Sequence, residues 1–231
     1  MKKNILMKLL LALILFATSG FSQDKIALIL KVRGETSLKR ATDSEFKKGV
    51  KIGDNLYSRD RIKTGKDGFT ALVFLDDKSQ IKVRENSEME ITGERSKGSI
   101  SKQVDMQFGT LKAEINPTKK GDFIIATPTS VASVKGTVFW VLSDPINGDV
   151  FYGISGSIEV TNNESGGVIV VGANQTGIST PTGQVKVEDT PAGAQPVDED
   201  AEESEENNEL RIQLRNPSGE TKTIKIEYKL C

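Results

Sequence analysis

From residue 24 onward, apolar and polar positions alternate with a period of two in short runs, the pattern of strands rather than helices. Residues 123–126 read as a strand stopped by Thr127-Pro128, because proline has no N–H to give a ladder. Residues 137–142 (TVFWVL) and 69–75 (FTALVFL) are apolar on both faces, so each requires cover above and below. The loop at 143–148 (SDPING) returns the chain along 149–154, and Ser155-Gly156 turns it again into 157–161. The stretch 121–162 is therefore expected to hold three or four strands and to form the structural centre. If SDPING closes a hairpin with Leu142 facing Asp149, Trp140 stands opposite Phe151 and Phe139 opposite Tyr152.

The same pattern extends outward. Residues 26–32 and 35–40 read as strands across Arg33-Gly34, and the charged run 41–49 as a loop or one helical turn. Asp54 and Asp60 carry side chains that can accept nearby backbone N–H groups, which suffices to explain both. Residues 76–79 (DDKS) read as a hairpin turn, in which a positive φ is costly for Lys78. Met89 and Ile91 alternate with Glu88 and Glu90, placing both carboxylates on a solvated face. Val104, Met106 and Phe108 share one face before Gly109, and Leu111, Ala113 and Ile115 continue after it. Residues 166–171, 175–178 and 184–187 complete the series. No helix of useful length follows residue 22. The expected fold is all-β: a short solenoid-like or sandwich-like stack over 23–187.

Both ends of the chain differ from this body. Lysines at 2, 3 and 8, an apolar run over 9–17 and small residues at Gly20 and Ser22 read as a secretory signal peptide, 1–22. The membrane would then be met only in transit. Residues 188–209 form an acidic, disordered linker, with eight acidic residues in 198–209. Beyond it, Leu210, Ile212 and Leu214 alternate with Arg211, Gln213 and Arg215. After the turn 216–219, Ile224, Ile226, Tyr228 and Leu230 alternate with charged residues. This is a C-terminal β-hairpin, 210–231, and two strands alone are marginal in water. Its apolar face is expected to dock on the β body or on a partner.

Composition narrows the chemistry. The formal charge is −1, yet 23–187 holds 23 Lys+Arg against 20 Asp+Glu, with no clustered basic face for nucleic acid. There is no histidine, and the one cysteine is Cys231. The usual neutral-pH acid/base and the commonest metal ligand are missing. No catalytic residue, cofactor or metal ligand is expected. The aromatics leave two readings open: Trp140 and Tyr152 as a stacking platform for sugar rings, or as core packing.

The order F-x-x-x-T-P, V-x-G-T-x-F-x-V and V-x-x-G-x-x-G-x-I-x-V over 123–160 resembles the second half of the FecR domain, a bacterial envelope domain. Gly53-Asp54, the run 60–65 (DRIKTG) and 71–79 (ALVFLDDKS) resemble its first half. The resemblance implies a solenoid-like all-β domain exported to the periplasm or cell surface. The regulators that name the family resemble a cytoplasmic sigma-factor-binding piece, a membrane span and this domain; a signal peptide stands here where the first two would be. The expected function is a non-catalytic envelope binding, scaffold or sensor module for a protein or glycan. The alternatives are a component of a cell-surface signalling pathway working with a separate membrane or sigma-factor regulator, and a carboxylate-only polysaccharide enzyme. Candidate contact residues are Trp140, Tyr152, Leu210, Ile212, Leu214, Ile224, Ile226 and Tyr228.

Overall fold

A computed structural model describes residues 24–96, 99–117, 123–198, 209–215 and 221–227. Two compact units are present, 1–191 and 192–231. The first is a β body in which every regular element is a strand. Its strands are β1 (Lys25–Arg33), β2 (Thr36–Lys39), β3 (Lys47–Lys48), β4 (Asn55–Tyr57), β5 (Asp60–Thr64), β6 (Phe69–Phe74), β7 (Gln80–Val83) and β8 (Glu88–Ser96). The long β9 (Ser99–Glu114) follows, then β10 (Phe123–Ala126), β11 (Ser130–Val134), β12 (Val138–Asp144) and β13 (Gly148–Ser155). Three hairpin strands and a last rung close the body: β14 (Ser157–Asn162), β15 (Val168–Gly172), β16 (Gln175–Ser179) and β17 (Val185–Asp189).

Pairing sorts these strands into two layers that share β9. One layer runs β4-β1-β6-β7-β9-β12-β13-β16-β17. The other runs β3-β2-β5-β8-β9-β10-β11-β14-β15, with β9–β10 its one parallel pair among the described strands. From β10 onward, successive hairpins join alternate layers, so the chain winds around the core as it advances. The arrangement is at once a sandwich and a solenoid-like stack, because each hairpin buries its inner face against the hairpin before it. One core fills the space between the layers. Phe74 of β6 meets Phe123 of β10 edge-to-face at 5.5 Å.

Gly109 is where β9 passes from one layer to the other. Its φ is 109°, and a Cβ there would sit 2.2 Å from Ser87 Oγ and 2.5 Å from Ser87 Cα. Gly109→Ala combines a left-handed backbone with a clash against main chain. It should lower stability by about 2–3 kcal/mol, read as a fall in the urea midpoint; an unchanged midpoint would show that the crossing is not a tight corner.

Several local expectations are corrected. The central stretch holds five strands, not three or four, because β11 alternates buried Ala132 and Val134 with exposed Val131 and Ser133. No helical turn forms over 41–49; Lys47 and Lys48 pair with β2 instead. Lys78 takes φ 64°, so the glycine-type turn is kept. Lys78 N–H reaches Phe74 C=O at 3.2 Å, and Asp77 Oδ1 accepts Ser79 N–H at 2.9 Å. A bulge opposite Glu88–Met89 shifts β9 by one residue. Phe108 therefore leaves the face of Val104 and Met106 and pairs with Glu88.

The second unit is described here only as backbone. β18 (Glu209–Arg215) and β19 (Thr221–Glu227) pair antiparallel, with Ile212 opposite Ile224 and Leu210 opposite Ile226. Leu214 stands opposite Lys222, and Tyr228 lies outside the described residues.

Candidate interaction surfaces

The polar residues of the body's motifs are tied into its framework. Asp149, 1% exposed at the start of β13, is the hub of one cross-layer staple. Thr127 and Ser130 hydroxyls each donate to its Oδ2 at 2.6 Å, and Ser143 donates to Oδ1 at 2.7 Å. Thr127 Oγ1 also accepts the N–H of Ser130 at 2.8 Å, so the T-P turn folds around the hydroxyl that reaches the carboxylate. Three neutral donors replace the water that a buried carboxylate loses.

A second staple joins the DDKS turn to β9. Lys102, 3% exposed, places Nζ 3.0 Å from Asp76 Oδ2 and 2.5 Å from Asp77 Oδ2, above the Phe74 ring. A third joins β14 to β16: Asn162 Nδ2 donates to Ser179 Oγ and Thr180 C=O, both at 2.8 Å. Its Oδ1 accepts the N–H groups of Glu164 and Ser165 at 2.9 Å.

The aspartates at turn positions are equally engaged. Asp54 accepts Lys51 N–H at 2.8 Å. Asp60, 1% exposed, accepts Tyr57 N–H at 2.9 Å and the Arg40 guanidinium at 2.5 Å. Glu88 is not on a solvated face: it is buried between Arg61 and Lys63, with Lys63 at 3.3 Å. Stacking of Phe46 against both cations closes that face. Among the described residues no group of three His, Cys, Asp or Glu could hold a metal ion. These carboxylates are structural partners, and none stands open beside a second one.

The hairpin register is also corrected. Asp144 pairs with Gly148, so the register differs by one from the expected one: Trp140 faces Tyr152, and Val141 faces Phe151. Phe139, Val141 and Phe151 enter the core cluster. Trp140 lies on the opposite face, in a row with Lys112, Tyr152 and Thr176, yet it is only 1% exposed. Tyr152 is half-buried. A ring without free surface offers nothing for a sugar to stack on. The SDPING turn is closed by its own aspartate: Asp144 accepts the Asn147 carboxamide at 2.6 Å and the N–H of Ile146 at 2.8 Å. The Asn147 carboxamide first, then the two backbone N–H groups, hold the Asp144 carboxyl below the usual aspartate range.

Open apolar surface remains at one strand that the periodicity did not single out for binding. Val168 and Val170 of β15 are 55% and 56% exposed, and among the described strands β15 pairs with β14 alone.

With this geometry in view, comparison with known proteins is informative. Residues 60–154 match the family model described as FecR protein. This segment is similar to the FecR family. The match spans about two fifths of the chain, from the Asp60 turn through most of β13, and so includes the DDKS and T-P staples. FecR domains are regulatory and non-enzymatic as a family, and typically periplasmic. Among the described residues no helix is long and apolar enough to cross a membrane. Two crystal structures, at 1.65 and 2.50 Å, of a protein proposed to be an anti-sigma factor from Parabacteroides distasonis ATCC 8503 are similar at TM-score 0.48 and 19% identity. The similarity covers 57% of this chain and 60% of that one, so this chain spans only part of the other's length. No curated protein matches the chain.

Proposed function

We propose that this protein is an exported, non-catalytic FecR-domain module that binds a protein partner in the bacterial envelope and acts as a sensor or scaffold in a signalling pathway. The observation that carries this reading is the fate of the chemistry-bearing side chains in the FecR segment. Asp60, Asp76, Asp77, Glu88 and Asp149 are each held by a cation, an N–H or a hydroxyl of the framework. Among the described residues these carboxylates are engaged within the framework, which gives no support to a polysaccharide enzyme, a chemistry that needs two free carboxyls flanking the scissile bond. Burial of Trp140 favours a protein over a glycan as the partner. The signal-peptide pattern of 1–22 supports export, and a separate membrane regulator would carry the signal inward.

Deleting the encoding gene and comparing transcripts tests the signalling role; an unchanged transcript set under envelope stress and nutrient shift would sink it. A pull-down from envelope extract, comparing the protein with a version ending at Val187, then separates the two units. A partner held by both versions places binding on the β body, and one held only by the longer version places it on the hairpin.

A further inference from the structure

Asparagine is among the thermolabile residues. The main-chain nitrogen of the next residue can attack its carboxamide, and that attack is least hindered when the next residue is glycine, which has no Cβ. The chain has one such step, Asn147-Gly148. Among the described residues the other asparagines precede Leu56, Ser87, Pro117, Asn163, Glu164 and Gln175.

The structure places this step at the tip of the β12–β13 hairpin. Residues 144–147 are exposed, Ile146 to 85%, so water and hydroxide reach the Asn147 carboxamide directly. Both halves of the step are also held in place by the turn. Gly148 takes φ 101°, and a Cβ there would stand 2.3 Å from Ser179 C=O, so the position requires glycine. Asn147 supplies the carboxamide that donates to Asp144 Oδ2 at 2.6 Å. A labile pair is thus fixed by packing on one side and by a cap on the other.

We propose that Asn147 is a self-modifying site, converted in water to aspartate and isoaspartate, and that the conversion loosens the β12–β13 hairpin. Gly148 N bonds to Asn147 Cγ, the Cγ–Nδ2 bond breaks, and the amide proton of Gly148 leaves with Nδ2 as ammonia. The product is a cyclic imide. Water then adds to one of its two carbonyls. Opening at Cγ gives aspartate; opening at the main-chain carbonyl gives isoaspartate, whose main chain is longer by a methylene. The sum consumes a water and releases an ammonia, with no oxidant or reductant.

Either product undoes the closure of the turn. The Asn147 carboxamide, then the N–H groups of Ile146 and Asn147, hold the Asp144 carboxyl below the usual aspartate range, so it is ionised at neutral pH. A second carboxylate at position 147 replaces the first of these donors with a like charge. The longer main chain of isoaspartate also disturbs the Asp144–Gly148 pairing that sets the register. Ser143 and Asp149, the next pair along, belong to the cross-layer staple, with the Ser143 hydroxyl 2.7 Å from Asp149 Oδ1. Damage at the tip therefore passes to the bonds that tie the layers.

The test is to hold the purified full chain in warm, mildly alkaline buffer and map its peptides by mass spectrometry over time. Asn163 and Asn174, both exposed, serve as references in the same sample. The expected result is conversion at Asn147 several-fold faster than at either reference, with isoaspartate among the products. The aged fraction, separated by anion exchange on its added negative charge, should melt about 2–4 °C below the fresh protein. Added salt should restore part of that loss by screening the carboxylates at 144 and 147. Asn147→Ser has no carboxamide to lose and should keep its melting temperature through the same incubation. Conversion at Asn147 no faster than at the references would overturn the site. An aged fraction that melts with the fresh protein, or an equal loss in Asn147→Ser, would overturn the loosening of the hairpin.

Discussion

Asp149→Ala should lower the stability of the β body by about 4 kcal/mol. Each hydrogen bond to a buried carboxylate contributes about 1.5–3 kcal/mol, and removing the acceptor strands the hydroxyls of Ser130 and Ser143 and leaves Thr127 only the Ser130 C=O at 3.1 Å. Those bonds join the T-P turn of one layer to the β12–β13 hairpin of the other. Their loss therefore loosens the layers, not one side chain. For a body of this size the melting temperature should fall by about 8–16 °C. Asp149→Asn keeps the shape but presents an amide donor to hydroxyls that need an acceptor, so about half of that effect is expected. Thermal unfolding followed by circular dichroism measures both. A shift under about 3 °C for the alanine variant would mean that water enters and satisfies the three hydroxyls.

Trp140→Ala is the second large effect, and it separates packing from recognition. A tryptophan 1% exposed has lost nearly all its contact with water, and truncating such a side chain costs about 3–5 kcal/mol. The melting temperature should drop by about 6–20 °C. Were Trp140 a sugar platform, the variant would keep its melting temperature and lose binding on a glycan array. That outcome would reverse the assignment of this face.

Much of the fold was legible because the strands are amphipathic and end at residues with clear turn chemistry. The Thr127-Pro128 stop and the Gly109 interruption each fall at a strand boundary or a layer crossing in the structure. The hairpin register at SDPING was not legible. The observed three-residue connection (145–147) and the expected six-residue one (143–148) set registers one step apart, and only the Asp144–Gly148 pairing chooses. Phe108 was misplaced for a related reason, since a bulge adds one residue without any mark in the hydrophobic pattern. The staples were hidden more deeply. Thr127, Ser130, Ser143 and Asp149 look like ordinary strand-end residues until the two layers are stacked. Nor did Glu88 announce burial, because its partners Arg61 and Lys63 come from β5, about 25 positions earlier. The β15 edge could be seen as a strand, but whether a strand lies at an edge is a property of the topology.

The alternating path of the hairpins also fixes how the body would respond to a pull. Tension applied through the segment after Asp189 enters at β17, which among the described strands pairs with β16 alone. Force on one end of an outermost strand of a hairpin breaks its bonds one after another, as in opening a zip, instead of shearing them together. β17 would therefore peel first, then β16 from β13, while β9, with neighbours in both layers, would hold longest. A domain built in this order yields at its last rung and keeps its centre intact.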